Sequence, residues 1–282
     1  MNAGEALRSW QGRVETLTDV IALPPVRALA ALLDRDYEYN VGDELPPPAH
    51  WLYFLPAARQ SELGSDGHPR RGGFLPPVSL PRRMWAGSRI DFHRPLRVGE
   101  QVSRNSRIAS VDGKQGRSGA LVFVRVVHEI RAGDAVAITE EQDIVYRDAP
   151  QPGVAAAATP APDEALWTRA IVPDPVLLFR YSALTFNAHR IHYDRPYATQ
   201  VEHYPGLVVH GPLIATLLLD LVHRSVPGAT VRRFSFRAVS PLFDLARFFV
   251  CGRPDASDPR SLHLWAKDDA GMLTLEAQAQ LA

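Results

Sequence analysis

The chain has 282 residues, 46% of them hydrophobic, which is enough for one large or two ordinary domains with a sizeable core. Its 31 Lys and Arg balance 31 Asp and Glu, so the chain as a whole offers no electrostatic footprint for nucleic acid or for an anionic membrane surface. Cys251 is the single cysteine, which excludes an internal disulfide, and no apolar run approaches the ~20 residues of a membrane helix.

The start of the chain lacks a basic region leading into an apolar one, so a cytoplasmic protein is expected. Pro24 to Asp34 is the first helix candidate. The segment from His50 to Gly87 fits neither helix nor strand. Its Gly and Pro density, ending in Leu80-Pro-Arg82-Arg83-Met-Trp85, predicts an irregular excursion long enough to be functional. Alternating segments follow at Arg89–His93, Gln101–Ser110, Ala120–Ile130 and Ala135–Tyr146. The Pro/Ala-rich stretch 149–162 reads as a linker, which divides the chain into domains at 1–148 and 163–282.

The second half repeats the first, with a helix candidate from Pro212 to Arg224 ahead of strands at Val231–Val239, Ala246–Cys251, Leu262–Lys267 and Leu273–Leu281. Pro95-Leu96 and Pro241-Leu242 punctuate the two halves alike, so a duplicated antiparallel unit is the simplest account. Cys251, between Phe248-Phe-Val and Gly252, is a core residue of a strand on this reading.

Polar chemistry concentrates in one place. Tyr181-Ser-Ala-Leu-Thr-Phe-Asn187-Ala-His189-Arg-Ile-His192-Tyr-Asp194 is followed by Gly206-Leu-Val-Val-His210-Gly211-Pro212-Leu, so a histidine-rich loop runs into a helix that opens with Gly-Pro. Proline is tolerated there because its missing N–H would have no acceptor within the helix. These strings resemble the active-site segment of MaoC-like hot-dog hydratases. The fuller match resembles the subgroup that contains mitochondrial-type 3-hydroxyacyl-thioester dehydratases together with itaconyl-CoA and mesaconyl-C4-CoA hydratases. The resemblance implies an α+β double hot dog, with two curved antiparallel sheets each wrapping a helix, and the hydratase motif in the second. It also implies that the excursion of the first half closes over the acyl end of the substrate.

Hydration of an enoyl thioester needs a base for water, a donor for the thioester oxygen and a proton for the α-carbon. His192 is the candidate base, since imidazole titrates near neutrality. The backbone N–H of Gly211, at the positive end of its helix, is the candidate oxyanion donor, and glycine leaves room for the thioester. Asn187 stands where the wider family has an aspartate. An amide can orient water but cannot take its proton, so His192 is expected to carry the transfer nearly alone. Asp194 either orients His192 or braces the loop, and His189 and Arg190 are expected to hold the loop. Tyr204 and His210 are candidates for lining the substrate pocket.

Members of the resembled subgroup act on fatty 3-hydroxyacyl thioesters or on short dicarboxylyl-CoA esters. Arg82 and Arg83, with Trp85, favour the second, because a carboxylate in an apolar pocket needs a cationic partner; coenzyme A phosphates or solvent are the alternatives. The expected function is therefore hydration of itaconyl-CoA or mesaconyl-C4-CoA to citramalyl-CoA, with a fatty dehydratase as the alternative. A non-catalytic acyl-thioester scaffold should have lost His192 or the Gly-Pro start, and hydrolysis of a thioester would suit a carboxylate better than Asn187. His189-x-x-His192 with Asp194, His203 and His210 contains metal-binding residue types but no helical spacing, so no metal is expected. No cofactor is expected beyond the coenzyme A of the substrate, and the chain is expected to form a homo-oligomer, in the first instance a dimer.

Overall fold

In the computed structural model, which describes residues 3–116, 119–148 and 158–282, ten strands form one continuous antiparallel sheet. A short helix α1 (Ala3–Arg8) precedes β1 (Val14–Val20), helix α2 (Leu23–Leu32), β2 (Arg82–Phe92), β3 (Gln101–Gly116), β4 (Gly119–Ala132) and β5 (Ala135–Arg147). The second half has β6 (Trp167–Ile171), helices α3 (Pro175–Leu184) and α4 (Gly211–Ser225), then β7 (Val231–Ala238), β8 (Phe248–Pro254), β9 (Ser261–Asp268) and β10 (Leu273–Leu281). Strand order is β1-β3-β4-β5-β2-β7-β10-β9-β8-β6. Read from its outer edge inward, each half has the same order, so the duplication read from the patterns is a duplication of topology. The halves join where β2 pairs β7, with Ser88 opposite Phe236 and Ile90 opposite Phe234. A side chain at Gly87 would collide with the Phe236 carbonyl, which is why this rung of the seam takes glycine.

The predicted strands are present, most of them longer, with β7 one residue shorter and β10 at the expected bounds, and four elements carried no readable signal: α1, β1, β6 and α3. The excursion ends earlier than expected, since 82–87 belong to β2. Arg82, Arg83 and Trp85 therefore stand on a strand and not on a loop. Of the expected linker 149–162, residues 149–157 lie outside the described residues. Thr159 and Ala161 lie against the β9–β10 hairpin through the bonds Leu273 N to Thr159 O (2.7 Å) and Ala161 N to Gly271 O (3.0 Å).

The two predicted helices are not each other's counterparts. Leu45 N donates to Leu96 O (2.7 Å) in the first half as Val209 N does to Leu242 O (2.9 Å) in the second. These equivalent bonds align α4 with the single 3-10 turn Ala49–Leu52, and α2 with α3. The first half has thus lost its long central helix, and the excursion follows the stub. The two concave faces differ accordingly. Under α4, whose residues Leu213 to Val222 are all buried, the sheet presents the cross-strand row Phe236, Ala277 and Leu264. The corresponding face of the first half carries the row Ser106, His128 and Glu140, beside Ser88. Cross-strand partners share a face, so this polarity belongs to the side the missing helix would have covered.

A buried ion cluster ties α4 to both halves. Asp220 is fully buried and bonds Arg35 Nε (2.6 Å) of the first half, Arg169 (2.5 Å) of β6 and Arg224 Nε (2.8 Å) of its own helix. Among the described residues, no helix is long and apolar enough to cross a membrane. Cys251 is fully buried in β8, as read.

Candidate active site

The histidine-rich loop begins where α3 stops. Asp174 caps the start of α3 by accepting from Leu177 N (2.9 Å), and Phe186, at φ 48°, turns the chain out of its end. Asn187 then folds the loop on itself: its side-chain oxygen accepts from His189 N (3.0 Å). Arg190 grips Asp194 through two nitrogens (2.9 and 2.7 Å) and covers the Tyr197 ring, so Arg190 holds the loop as expected. Asp194 also accepts from Tyr197 N (3.1 Å). It braces the turn and does not orient His192.

His192 is oriented by the backbone instead. Its Nδ1 lies 2.7 Å from Val208 O, and a carbonyl only accepts, so Nδ1 carries the proton and Nε2 presents a lone pair. The ring stacks on His210, with centroids 3.7 Å apart and planes at 18°. His210 is the residue before α4, fixed by Ser182 Oγ at 2.9 Å from its Nε2. Gly211 follows as the first residue of α4, where an N–H has no acceptor within the helix. A Cβ built on Gly211 meets no atom within 4 Å, so the space in front of it is open.

The row of imidazoles continues into a residue pair that the sequence did not single out. His189 lies 5.4 Å from His192 and 4.1 Å from His68, centroid to centroid. His68 belongs to the excursion, and Asp66 holds it: Oδ2 accepts from His68 Nδ1 at 3.3 Å and Oδ1 from His68 N at 3.0 Å. The tip of the excursion is moored to the histidine-rich loop by Arg190 N to Asp66 O (2.9 Å) and Arg190 to Ser65 O (3.0 Å). Gly67, at φ 88°, packs so closely on the Ala188 carbonyl that any side chain would collide with it. Only the Gly-rich composition of the excursion hinted at this; no local spacing links residue 68 to residue 189.

Burial keeps these rings neutral. It lowers His192 to about 4, against the opposing pull of the Val208 carbonyl, and lowers His189 to about 2 with help from its neighbours His68 and His192. His210 is pushed well down by burial and by His192 and His189. His68 is lowered by burial and by Arg83 and Arg71, while Asp66 pulls it up. Burial pushes the Asp66 carboxyl up, but the His68 bonds outweigh this and hold it below the ordinary carboxylate range.

The remaining candidates divide. Arg82 is committed: it bonds Glu202 (Nε to Oε2 3.3 Å, and 2.6 Å to its carbonyl) and covers Tyr204, its carbon Cζ 4.6 Å from the ring centre. It braces the loop after His192; Arg83 makes no ion pair among the described residues, and its charge, with that of Arg71, bears on His68. Tyr204 is a packing partner of Arg82 and Phe243. Trp85 donates to Ser88 Oγ (2.9 Å) and helps line a cavity of about 120 Å³. His50, Trp51, Arg104, His128 and Glu140 line it too, as does Thr185, two residues before Asn187. Glu140 is its hub, accepting from Ser88 Oγ (2.8 Å), Trp51 Nε1 (3.1 Å) and His50 Nε2 (3.0 Å). The strand patterns of β4 and β5 contained the signal for this cavity, as polar residues at the inward positions His128 and Glu140.

The residue types weighed for a metal do not converge as a set: Asp194 is taken by Arg190, His203 is exposed, and His192 and His210 stack face to face. Asp66, His68 and His189 do bring donor atoms within 4.8 Å of one another, but Arg83 and Arg71 place positive charge at the same spot.

Residues 48–244 match the family of hydroxyacyl-thioester dehydratases type 2. The chain is 50% identical over 278 residues to a mesaconyl-C4-CoA hydratase of Chloroflexus aurantiacus, covering 97% of each chain. It is 30% identical to a mitochondrial hydroxyacyl-thioester dehydratase type 2 of Schizosaccharomyces pombe, covering 73% of this chain and 77% of that protein. Among solved structures, a Mycobacterium tuberculosis protein with a double hot-dog fold superposes with a TM-score of 0.60 at 14% identity over 96% of each chain.

Proposed function

The chain belongs to the hydroxyacyl-thioester dehydratase type 2 family, within the MaoC-like hydratases and dehydratases, and on that premise we propose that it adds water across the double bond of a short dicarboxylyl-CoA thioester, mesaconyl-C4-CoA first among them. The observation that carries the chemistry is the neutral His192, its Nε2 free and its ring stacked on the residue that precedes Gly211. His192 takes a proton from water as the oxygen bonds to the β-carbon. The electrons of the double bond move toward the thioester oxygen, where the Gly211 N–H and the positive end of α4 meet the developing charge. Asn187 shapes the loop through its bond to His189 N and takes no proton.

The acyl group is assigned from two features. In mesaconyl-C4-CoA the free carboxylate sits on the carbon that receives water, so its cationic partner must stand beside the base. The charge of Arg83, which bears on His68 and His189, supports that residue as the partner. The 50% identity over 97% of each chain to the mesaconyl-C4-CoA hydratase of Chloroflexus aurantiacus also favours a short dicarboxylyl group over a fatty one. Dehydration of a 3-hydroxyacyl thioester is the same chemistry in reverse and is the second reading, favoured by the fission-yeast relative. A homodimer belongs to the proposal, supported by the exposed apolar side chains Val172, Val176, Phe179 and Phe186 in and around α3.

The test is an ultraviolet assay with mesaconyl-C4-CoA, itaconyl-CoA, crotonyl-CoA and a long-chain enoyl-CoA, reading loss of the conjugated double bond separately from release of free thiol. Hydration of the dicarboxylyl ester is expected, with His192→Ala slower by roughly 10²–10⁴. Stronger activity on the long-chain substrate would replace this reading with the fatty one.

A further inference from the structure

His192 and Gly211 leave the α-carbon without an acid, and Asn187 cannot supply one. Adding water moves two protons: one leaves the water, and one reaches the α-carbon. We propose that Asp66 and His68, carried into the site by the excursion of the first half, are the missing acid–base pair, with His68 protonating the α-carbon and His189 returning the proton from His192. The inference rests on the hydratase reading and extends the site by three residues.

The geometry carries it. Asp66 accepts from His68 Nδ1, so the other nitrogen of His68 is free to face a substrate, in the arrangement that makes a carboxylate-backed imidazole a proton carrier. His68 keeps 23% of its side chain exposed although crowded by its neighbours, as a residue lining a cleft does. His189 stands between it and His192, at 4.1 and 5.4 Å. The mooring is specific as well: Gly67 fits against Ala188 only because it has no side chain, and Arg190 fastens Ser65 and Asp66 by their carbonyls. A loop that merely covered the sheet would have no need to present a carboxylate and an imidazole to the hydratase loop. The charged and titratable groups around the pair are Arg71, Arg83, His189 and His192, with Arg190 and Tyr197 beside Asp66. Asp66 itself supplies the negative charge that favours protonation of His68.

The steps balance. His192 Nε2 takes one proton from water as the C–O bond forms. The π-electron pair becomes the enolate, and the proton on His192 passes through His189 to the free nitrogen of the neutral His68, which gives it to the α-carbon to make the C–H bond. All three rings end neutral, and one water is added with no net change in the protein.

The experiment follows exchange of the α-hydrogen of the hydroxyacyl-CoA product in heavy water alongside hydration. Wild type is expected to do both. His192→Ala should lose hydration and keep α-exchange, whereas His68→Gln should lose both by roughly 10²-fold or more. Asp66→Asn should slow turnover at least about tenfold and move the acidic limb of its pH profile downward, with Asp66→Glu recovering part of the rate. Gly67→Ala, which leaves every side chain of the pair intact, should reproduce the exchange defect by displacing the loop. A His68→Gln protein that melts like wild type and still exchanges would overturn the proposal, and so would a stoichiometric metal ion in the purified protein, since the donors would then be occupied. A wild-type protein that exchanges but does not hydrate any of the substrates would instead sink the hydratase reading.

Discussion

His192 and His210 lie ring on ring, 3.7 Å apart and 18° from parallel. Two imidazolium ions could not share that stack, so the folded protein depends on keeping both rings neutral, and the same holds for His189 beside them. An assembly of neutral buried histidines has consequences that can be measured.

The first is a loss of stability in mild acid. Unfolded, these rings take a proton near the ordinary value of 6.5, whereas His192 and His128 when folded take it only near 4, chiefly because of burial. Between these values the unfolded chain binds more protons, so stability falls as pH drops from about 6.5 to 4 and is fully present above. Each tenfold loss of proton affinity on folding corresponds to roughly 1.4 kcal/mol, so the rings together represent on the order of a few kcal/mol. Glu140 acts in the next window: burial pushes it up, but bonds from His50 and Ser88 prevail and hold it at about 2, so its contribution is lost as pH falls from 4.5 toward 2. Melting temperatures across pH 8 to 3 should decline in both windows. A flat profile between 6.5 and 4 would mean that the folded rings take protons as readily as the unfolded ones.

A second expectation concerns Gly211. Its surroundings are open and its backbone is not in the left-handed region, so a side chain costs the fold little. Gly211→Val should therefore melt within a few degrees of wild type while losing most turnover, because the added methyls occupy the space in which the thioester oxygen must approach the N–H. Parallel loss of both would give Gly211 a purely structural role.

The arginines can be separated by substrate. Arg83→Met should remove roughly 1.5–3 kcal/mol from recognition of mesaconyl-C4-CoA, the scale of a charge-assisted hydrogen bond, while sparing crotonyl-CoA, which has no carboxylate. Arg82→Met should affect both substrates alike, since Arg82 holds Glu202 and Tyr204. If Arg104→Met is the variant that discriminates, the carboxylate enters the cavity of the first half.

Asp220 should be the most sensitive ion-pairing position. Asp220→Ala leaves Arg35, Arg169 and Arg224 without their shared carboxylate at a fully buried point of α4, and a loss of about 3–5 kcal/mol is expected in denaturant unfolding. A loss under ~1 kcal/mol would show that solvent reaches the cluster.

Much of this protein was legible in its sequence because the signals were local. Strand alternation, Pro-Leu breaks and the Gly211-Pro212 helix start depend on neighbours within a few residues, and they gave the duplicated antiparallel halves and the loop from Asn187 to His192. Tertiary structure decided what depends on distant segments meeting. Asp66 and His68 reach His189 across some 120 residues of chain, and their setting, a Gly- and Pro-rich stretch without periodicity, encodes no partner. Arg82 and Arg83 are equivalent as letters, yet pairing with Glu202 commits one, while the other makes no ion pair among the described residues. Two helix-like stretches resembled each other in pattern, but the hydrogen bonds of Leu45 and Val209 showed that the counterpart of α4 is a four-residue stub. A helix is signalled by the residues that form it, whereas the loss of one is visible only in the polar sheet face it left uncovered.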